Sequence, residues 1–250
     1  MAKNEDRLGE RRRNNQGELM EIIEYISSRD LTVRFIGTNT TKKCAYKEFK
    51  NGHVRDNFYP SVCGVGYIGD TSITMGNRQV KQSYKVWSGM LLRCYSNKHR
   101  NNNPSYVDCW VCKEWLCYAN FEKWYDDNYY EICEEKMQLD KDILVKGNKI
   151  YSPQTCVFVP QRINALFTKH DAGRGKYPIG VHYSRANKKF EATPSGKHKW
   201  LGYYDSVEDA FRAYKKCKEE HIKEVANEYK DFIPKTLYDA LCGYEVEIDD

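Results

Sequence analysis

The chain has 250 residues, long enough for a substantial core or for two or three small domains. Forty Lys and Arg against 35 Asp and Glu leave a net charge of +5, so the whole protein is no polycation, and 40% hydrophobic with 14% aromatic residues excludes a disordered chain. No apolar run approaches the roughly 18 residues of a membrane span; the first 18 residues are polar and carry no export signal, so a cytoplasmic protein is expected.

Charge is distributed in blocks. Arg78 to Arg100 holds six basic residues and no acid, whereas Tyr106 to Leu144 holds ten acids against four bases. Lys169 to Leu201 has eight bases against two acids, and His221 to Asp250 reverses that with eight acids against three bases. Two basic surfaces separated by acidic ones fit a nucleic-acid binder, and equally fit ordinary solvated surface.

In chain order, residues 1–18 have no hydrophobic period and read as a flexible arm, in which Arg11, Arg12 and Arg13 are placed to touch phosphate. A small β-rich module follows over 19–60, with strands EIIEYI (21–26), LTVRFI (31–36) and CAYKEF (44–49) and a turn at Asn51-Gly52. Glycines 64, 66, 69 and 76 break up 61–82, which reads as a linker. Tyr84, Trp87, Leu91 and Cys94 recur at helical spacing, with Ser83 as the expected cap and with Lys85, Arg93 and Lys98 on the other side. Arg93, with Arg78, Lys81 and Arg100, is a candidate phosphate contact. A second helix is expected over 118–128, burying Phe121, Trp124 and Tyr125.

QLDKDIL (138–144) reads as a strand, GNK (147–149) as a tight turn and CVFV (156–159) as a second strand. Pro160 opens a helix over 160–167. Strand alternation puts Asp140 and Asp142 on one face, where with Asn164 they offer oxygen ligands to a hard cation. Lys146, Lys149 and Arg162 offer nearby cationic help. Cys109 and Cys112 form a single CxxC. A structural zinc needs a second such pair, so buried thiols are expected instead.

The last domain, 176–229, reads as three strands (179–183, 188–193 and 199–204) and one amphipathic helix. The helix is opened by Ser206 with Asp209 and carries Val207, Ala210, Phe211, Tyr214, Cys217, His221, Ile222 and Val225 on one stripe. Alternation turns Lys189, Glu191 and Thr193 outward and Phe190 and Ala192 toward the helix. The outward face, with His182, Arg185, Lys188, Lys197 and Lys199, suits a β-sheet that reads duplex DNA. Arg185 and Glu191 are placed for bases, and Lys188, Lys197 and Lys199 for phosphates. Trp200 fits either this face or the core. Residues 230–250 read as a peripheral acidic tail from which Phe232, Leu237 and Leu241 dock. The fold class expected is α+β and multidomain.

Two stretches carry a family resemblance. Gly180-Val181, Phe190, Ala192, Leu201-Gly202, Glu208-Asp209-Ala210 and Ala213-Tyr214 resemble the AP2/ERF DNA-binding domain, including copies joined to HNH endonucleases in bacteriophage proteins. YKVWSGMLLRCY, VCKEWLCYANFEKWY and LDKDILVKGNKIYSPQTCVFVPQRIN resemble the HNH-like region of those phage homing endonucleases. The N-terminal stretch to NGHVRDN resembles their leading module. The resemblance implies a ββα-metal fold with Asp140 as metal acid, Asn148 as the connecting Asn and Asn164 as the helical ligand. Mg²⁺ or Mn²⁺ would be the cofactor, duplex DNA the substrate and a bacterial host cell the setting. Lys141 occupies the place of the general-base histidine and, protonated near neutrality, is a poor base. Three readings stay open: a metal-dependent endonuclease, a catalytically silent DNA-binding regulator, and an inhibitor of a host defence protein. A homodimer fits any of them.

Overall fold

A computed structural model describes residues 7–168, 176–196 and 200–248. The chain is mixed α and β, built from several small sheets and helices, and divides into two compact units: Met1–Asp127 with Lys149–Pro153, and Asn128–Asn148 with Gln154–Asp250.

The first unit opens with a four-stranded antiparallel sheet. Its strands β1 (Arg11–Arg13), β2 (Leu19–Ser27), β3 (Asp30–Phe35) and β4 (Thr41–Cys44) lie side by side in chain order. Alternate residues Met20, Ile22, Leu31, Val33 and Phe35 bury one face against Phe49 and Val54. The expected flexible arm is therefore partly strand, because Arg11 faces Glu21 across β1 and β2 and both bond through their side chains at 3.0 Å. The strand expected at 44–49 ends at Cys44; Tyr46–Lys50 instead forms helix α1, whose first turn is closed by the Glu48 carboxylate on the Ala45 N–H.

Residues 61–82 contain no long element but are not a loose linker. Tyr67 donates its N–H to the Leu116 carbonyl, and Thr71 and Lys81 both donate to the Glu122 carboxylate. Helix α2 (Gln82–Tyr95) buries Trp87, Leu91 and Cys94 as the spacing predicts, and Met90 with them, while Tyr84 is half-buried. Ser83 is not its cap: it lies inside the first turn, buried, with its hydroxyl on Tyr118. A short helix α3 (Asn97–Asn102) follows, then β5 (Trp110–Val111) and α4 (Tyr118–Asn128), the latter with the predicted bounds.

In the second unit, β6 (Met137–Asp140) pairs antiparallel with β8 (Val157–Pro160), and α5 (Gln161–Ala165) packs beside them. Between the two strands the chain leaves the unit: β7 (Ile150–Tyr151) runs parallel to β5 in the first unit. The second sheet has the order β11 (Tyr203–Tyr204), β10 (Lys189–Ala192), β9 (Val181–Ser184). Helix α6 (Val207–Glu228) starts at Ser206, whose hydroxyl accepts the Asp209 N–H at 3.1 Å, so the expected cap is present. Gly180 is required where it stands: its φ is +73°, and a Cβ there would lie 2.1 Å from the Tyr214 ring.

Helix α6 serves two cores. Its first turns, with Ala210, Phe211 and Tyr214, pack on Val181 and Ala192 of the three-stranded sheet. Its later turns, with Ile222, Val225 and Ala226, pack on Ile143, Val157, Val159 and Ile163 of the β6–β8–α5 unit. The two modules read as separate domains thus share a helix. The expected acidic tail is also part of this core. Helix α7 (Lys235–Cys242) buries Leu237 and Leu241 completely, and Val246 joins the sheet side, whereas Phe232 points outward at 63% exposure.

Candidate functional site

The β6–β8–α5 unit gathers most of the residues to which chemistry was assigned. Strand β6 stops at Asp140 because that side chain turns the chain. Its Oδ1 accepts the backbone N–H of Asp142 at 2.9 Å and of Ile143 at 2.8 Å, a side-chain mimic of a backbone turn. Asp142 therefore lies beyond the strand, and the shared face expected for Asp140 and Asp142 does not exist. The residue that does share the Asp140 face is Gln138, two positions earlier on β6. Asn164 of α5 donates its side-chain amide to the Gln138 carbonyl oxygen. Gln138 was missed at the sequence level, although strand alternation back from Asp140 marks it.

Burial pushes the Asp140 carboxyl up to about 6, the charge of Asp142 adds to this, and the two backbone N–H groups oppose it. At neutral pH the group is still mainly ionised. The oxygen donors brought to this face are Gln138, Asp140 and Asn164, one carboxylate and two amides. That set suits a hard divalent cation in chemistry. Among the described residues, no group of three or more His, Cys, Asp or Glu is placed to hold a metal ion.

Lys141 is engaged within its own loop. Its side chain is 8% exposed, and its Nζ donates to the Asn148 carbonyl at 3.1 Å and to Asp142 Oδ2 at 3.2 Å. Asn148 returns a bond from its Nδ2 to the Lys141 carbonyl at 2.7 Å, which makes it a brace of the loop. The cations expected beside a phosphate here are engaged elsewhere. Lys146 bonds Glu245 and Glu247, Arg162 pairs with Glu228, and Lys149 belongs to the first unit, where it reaches the Ser105 carbonyl.

The second candidate surface is the outer face of β9–β10–β11. Cross-strand partners His182, Glu191 and Tyr203 share that face, and Lys189 lies one pleat along it. Phe190 and Ala192 point the other way into the α6 core, as alternation requires. Trp200 belongs to the outer face rather than the core. It is 59% exposed, donates its indole N–H to Glu191 at 3.2 Å and meets the Tyr203 ring edge-on at 5.1 Å. Lys189 pairs with Asp205 at 3.0 Å. Arg185 and Lys188 sit exposed in the β9–β10 turn, Lys188 at φ +52°, and Thr193 is exposed past the end of β10. Lys197 and Lys199 lie outside the described residues. Tyr203 and Asp205 were not singled out from sequence; the pairing register of a two-residue strand is what places Tyr203 there.

In the first unit Arg93 is half-buried rather than on an open stripe, with its Nε on the Tyr151 hydroxyl at 3.1 Å. Cys109 is buried with its Sγ directed at the Ser105 carbonyl, and Cys112 leads into a 3-10 turn over Lys113–Leu116.

No helix among the described residues is long and apolar enough to cross a membrane. Compared with protein-family models, curated proteins and solved structures, the chain matches none.

Proposed function

We propose that this protein binds duplex DNA through the outer face of β9–β10–β11, in the manner of an AP2/ERF-type module attached to an HNH-like ββα unit. The observation that carries the reading is the division of that sheet. Phe190 and Ala192 of β10 turn to the α6 core, leaving His182, Lys189, Glu191, Tyr203 and Trp200 on the other face, flanked by Arg185 and Lys188. Such a face combines donors for base edges with cations for phosphates and a flat polar–aromatic centre. The test is fluorescence anisotropy of the full chain with a labelled duplex pool across a salt series. Salt-sensitive binding that Arg185→Glu with Lys188→Glu weakens at least tenfold supports the reading. Indifference to DNA at low salt removes it and favours a protein partner.

A second reading, metal-dependent phosphodiester hydrolysis, is favoured by the meeting of Gln138 and Asn164 on the Asp140 face. Asp140 and Asn164 would hold Mg²⁺ or Mn²⁺, which supplies an activated water and charge stabilisation for the leaving oxygen. Lys141 contributes the loop brace and no base. Nicking of supercoiled plasmid that requires the metal, and disappears in Asp140→Ala and in Asn164→Ala, supports hydrolysis. Duplex binding with no nicking in either metal supports a silent, DNA-binding descendant of the nuclease fold.

A further inference from the structure

The end of α2 and the segment after it hold a group of cations that the sheet face and the ββα unit do not use. Arg93, in the last turn of α2, is half-buried with its Nε on Tyr151. Its guanidinium carbon lies 5.5 Å from the Tyr151 ring centre and 5.9 Å from that of Tyr106. Burial opposes its charge, and the phenols of Tyr151 and Tyr106 and the thiol of Cys94 favour it. The His99 ring meets the Tyr106 ring edge-on at 5.8 Å. Arg100, next in α3, donates one terminal nitrogen to the Val107 carbonyl at 2.8 Å. The Nδ1 of His99 and the Nε of Arg100 are both buried without a hydrogen-bond partner among the described residues.

Burying guanidinium and ring nitrogens without an acceptor is costly, and such groups are ordinarily satisfied by protein, water or a bound ligand. Two arginines, a histidine and a tyrosine along this segment offer the donors of an oxyanion site, since a guanidinium presents a planar fork to the oxygens of a phosphate. We propose that Arg93, His99, Arg100 and Tyr106 form a phosphate-binding site in the first unit, distinct from the outer sheet face. Phosphate reaches it either as a free phosphate group or as part of a nucleic-acid backbone. Only the backbone source rests on the DNA-binding reading.

The test follows the arginine Nε–H resonances of the ¹⁵N-labelled full chain as inorganic phosphate replaces chloride at constant ionic strength. The resonances of Arg93 and Arg100 are expected to shift and saturate with phosphate. In Arg93→Gln the Arg100 response should fall at least fivefold, and in Arg100→Gln the Arg93 response should fall likewise. Equal responses to chloride and phosphate overturn the site and leave its donors to water. A phosphate response unchanged in both variants overturns the assignment of residues. If both variants fail to fold, the wild-type comparison of the two anions still decides. A short duplex then separates the sources: displacement of phosphate by duplex, with a salt slope lowered by about one in Arg100→Gln, assigns a backbone phosphate. Duplex binding that leaves the phosphate-shifted resonances untouched assigns a free phosphate group. Loss of duplex binding with phosphate binding intact removes the DNA reading and leaves the site standing.

Discussion

Lys141 and Asn148 hold each other across the loop that follows β6: the ammonium donates to the Asn148 carbonyl at 3.1 Å while the Asn148 amide donates to the Lys141 carbonyl at 2.7 Å. Lys141 is thereby a brace of its own loop. Its charge is kept in a buried position by one carbonyl and one half-exposed carboxylate, that of Asp142.

Lys141→Ala is accordingly expected to destabilise the second unit by about 1–3 kcal/mol, the usual loss when a buried bond to a charged group is removed. Urea denaturation followed by tyrosine fluorescence reads this. If the plasmid assay detects nicking, Lys141→Ala should retain its dependence on Asp140. A stability identical to wild type combined with total loss of nicking would return Lys141 to a chemical role.

Two carboxyls whose pKa is raised should make stability fall as pH rises. Burial raises Glu18, helped by its bond to Asp56 and the charge of Asp56, and opposed by Thr38; Asp140 is raised to about 6. A raised carboxyl binds its proton more tightly when folded, so its contribution is complete below the unfolded value, about 4, and is lost through the folded one. For Asp140 that window is about pH 4 to 6. Asp140→Asn keeps an oxygen for the two backbone N–H groups, so the stability difference between wild type and variant should shift against the wild type across that window. Glu18→Gln should show the same direction in the first unit. Denaturant midpoints at pH 4 and pH 7 measure both, and a wild type that gains on its variants with rising pH would refute the assignment.

The cap at Ser206 is a local test of α6. Removing its hydroxyl in Ser206→Ala leaves the Asp209 N–H without its acceptor and should cost about 1 kcal/mol, read as a lower thermal midpoint with the sheet face unchanged in composition.

Because α6 carries both cores, substitution at either end should lower the stability of both. Ile222→Ala removes a fully buried side chain from the β6–β8–α5 side and should cost about 2–5 kcal/mol. Amide exchange in β9 and β10 should accelerate along with that in β6 and β8. A fragment beginning at 176, which leaves Ile222, Val225 and Ala226 without Ile143, Val157 and Ile163, should be much less stable than one beginning at 128. Independent unfolding of the two sheets would contradict a shared helix.

What was legible in the sequence was whatever repeats within a few residues. Spacings of three and four identified α2 and α4, alternation assigned Lys189 and Glu191 to one face and Phe190 and Ala192 to the other, and Ser206 announced the start of α6. Local period could not tell that Asp140 would spend an oxygen on the next two backbone N–H groups and end its strand, because that competition between side chain and ladder is settled by the turn. It also could not tell which apolar half of α6 met which sheet, although it did mark Leu237 and Leu241 as residues by which the acidic tail docks. Lys141 shows the same limit most clearly. A lysine's place in the sequence says nothing of where its long side chain goes; here the ammonium turns to the carbonyl of Asn148, seven residues on, and to the Asp142 carboxylate. Tertiary structure decided those points because burial and hydrogen-bond partners come from chain segments that no local pattern brings together.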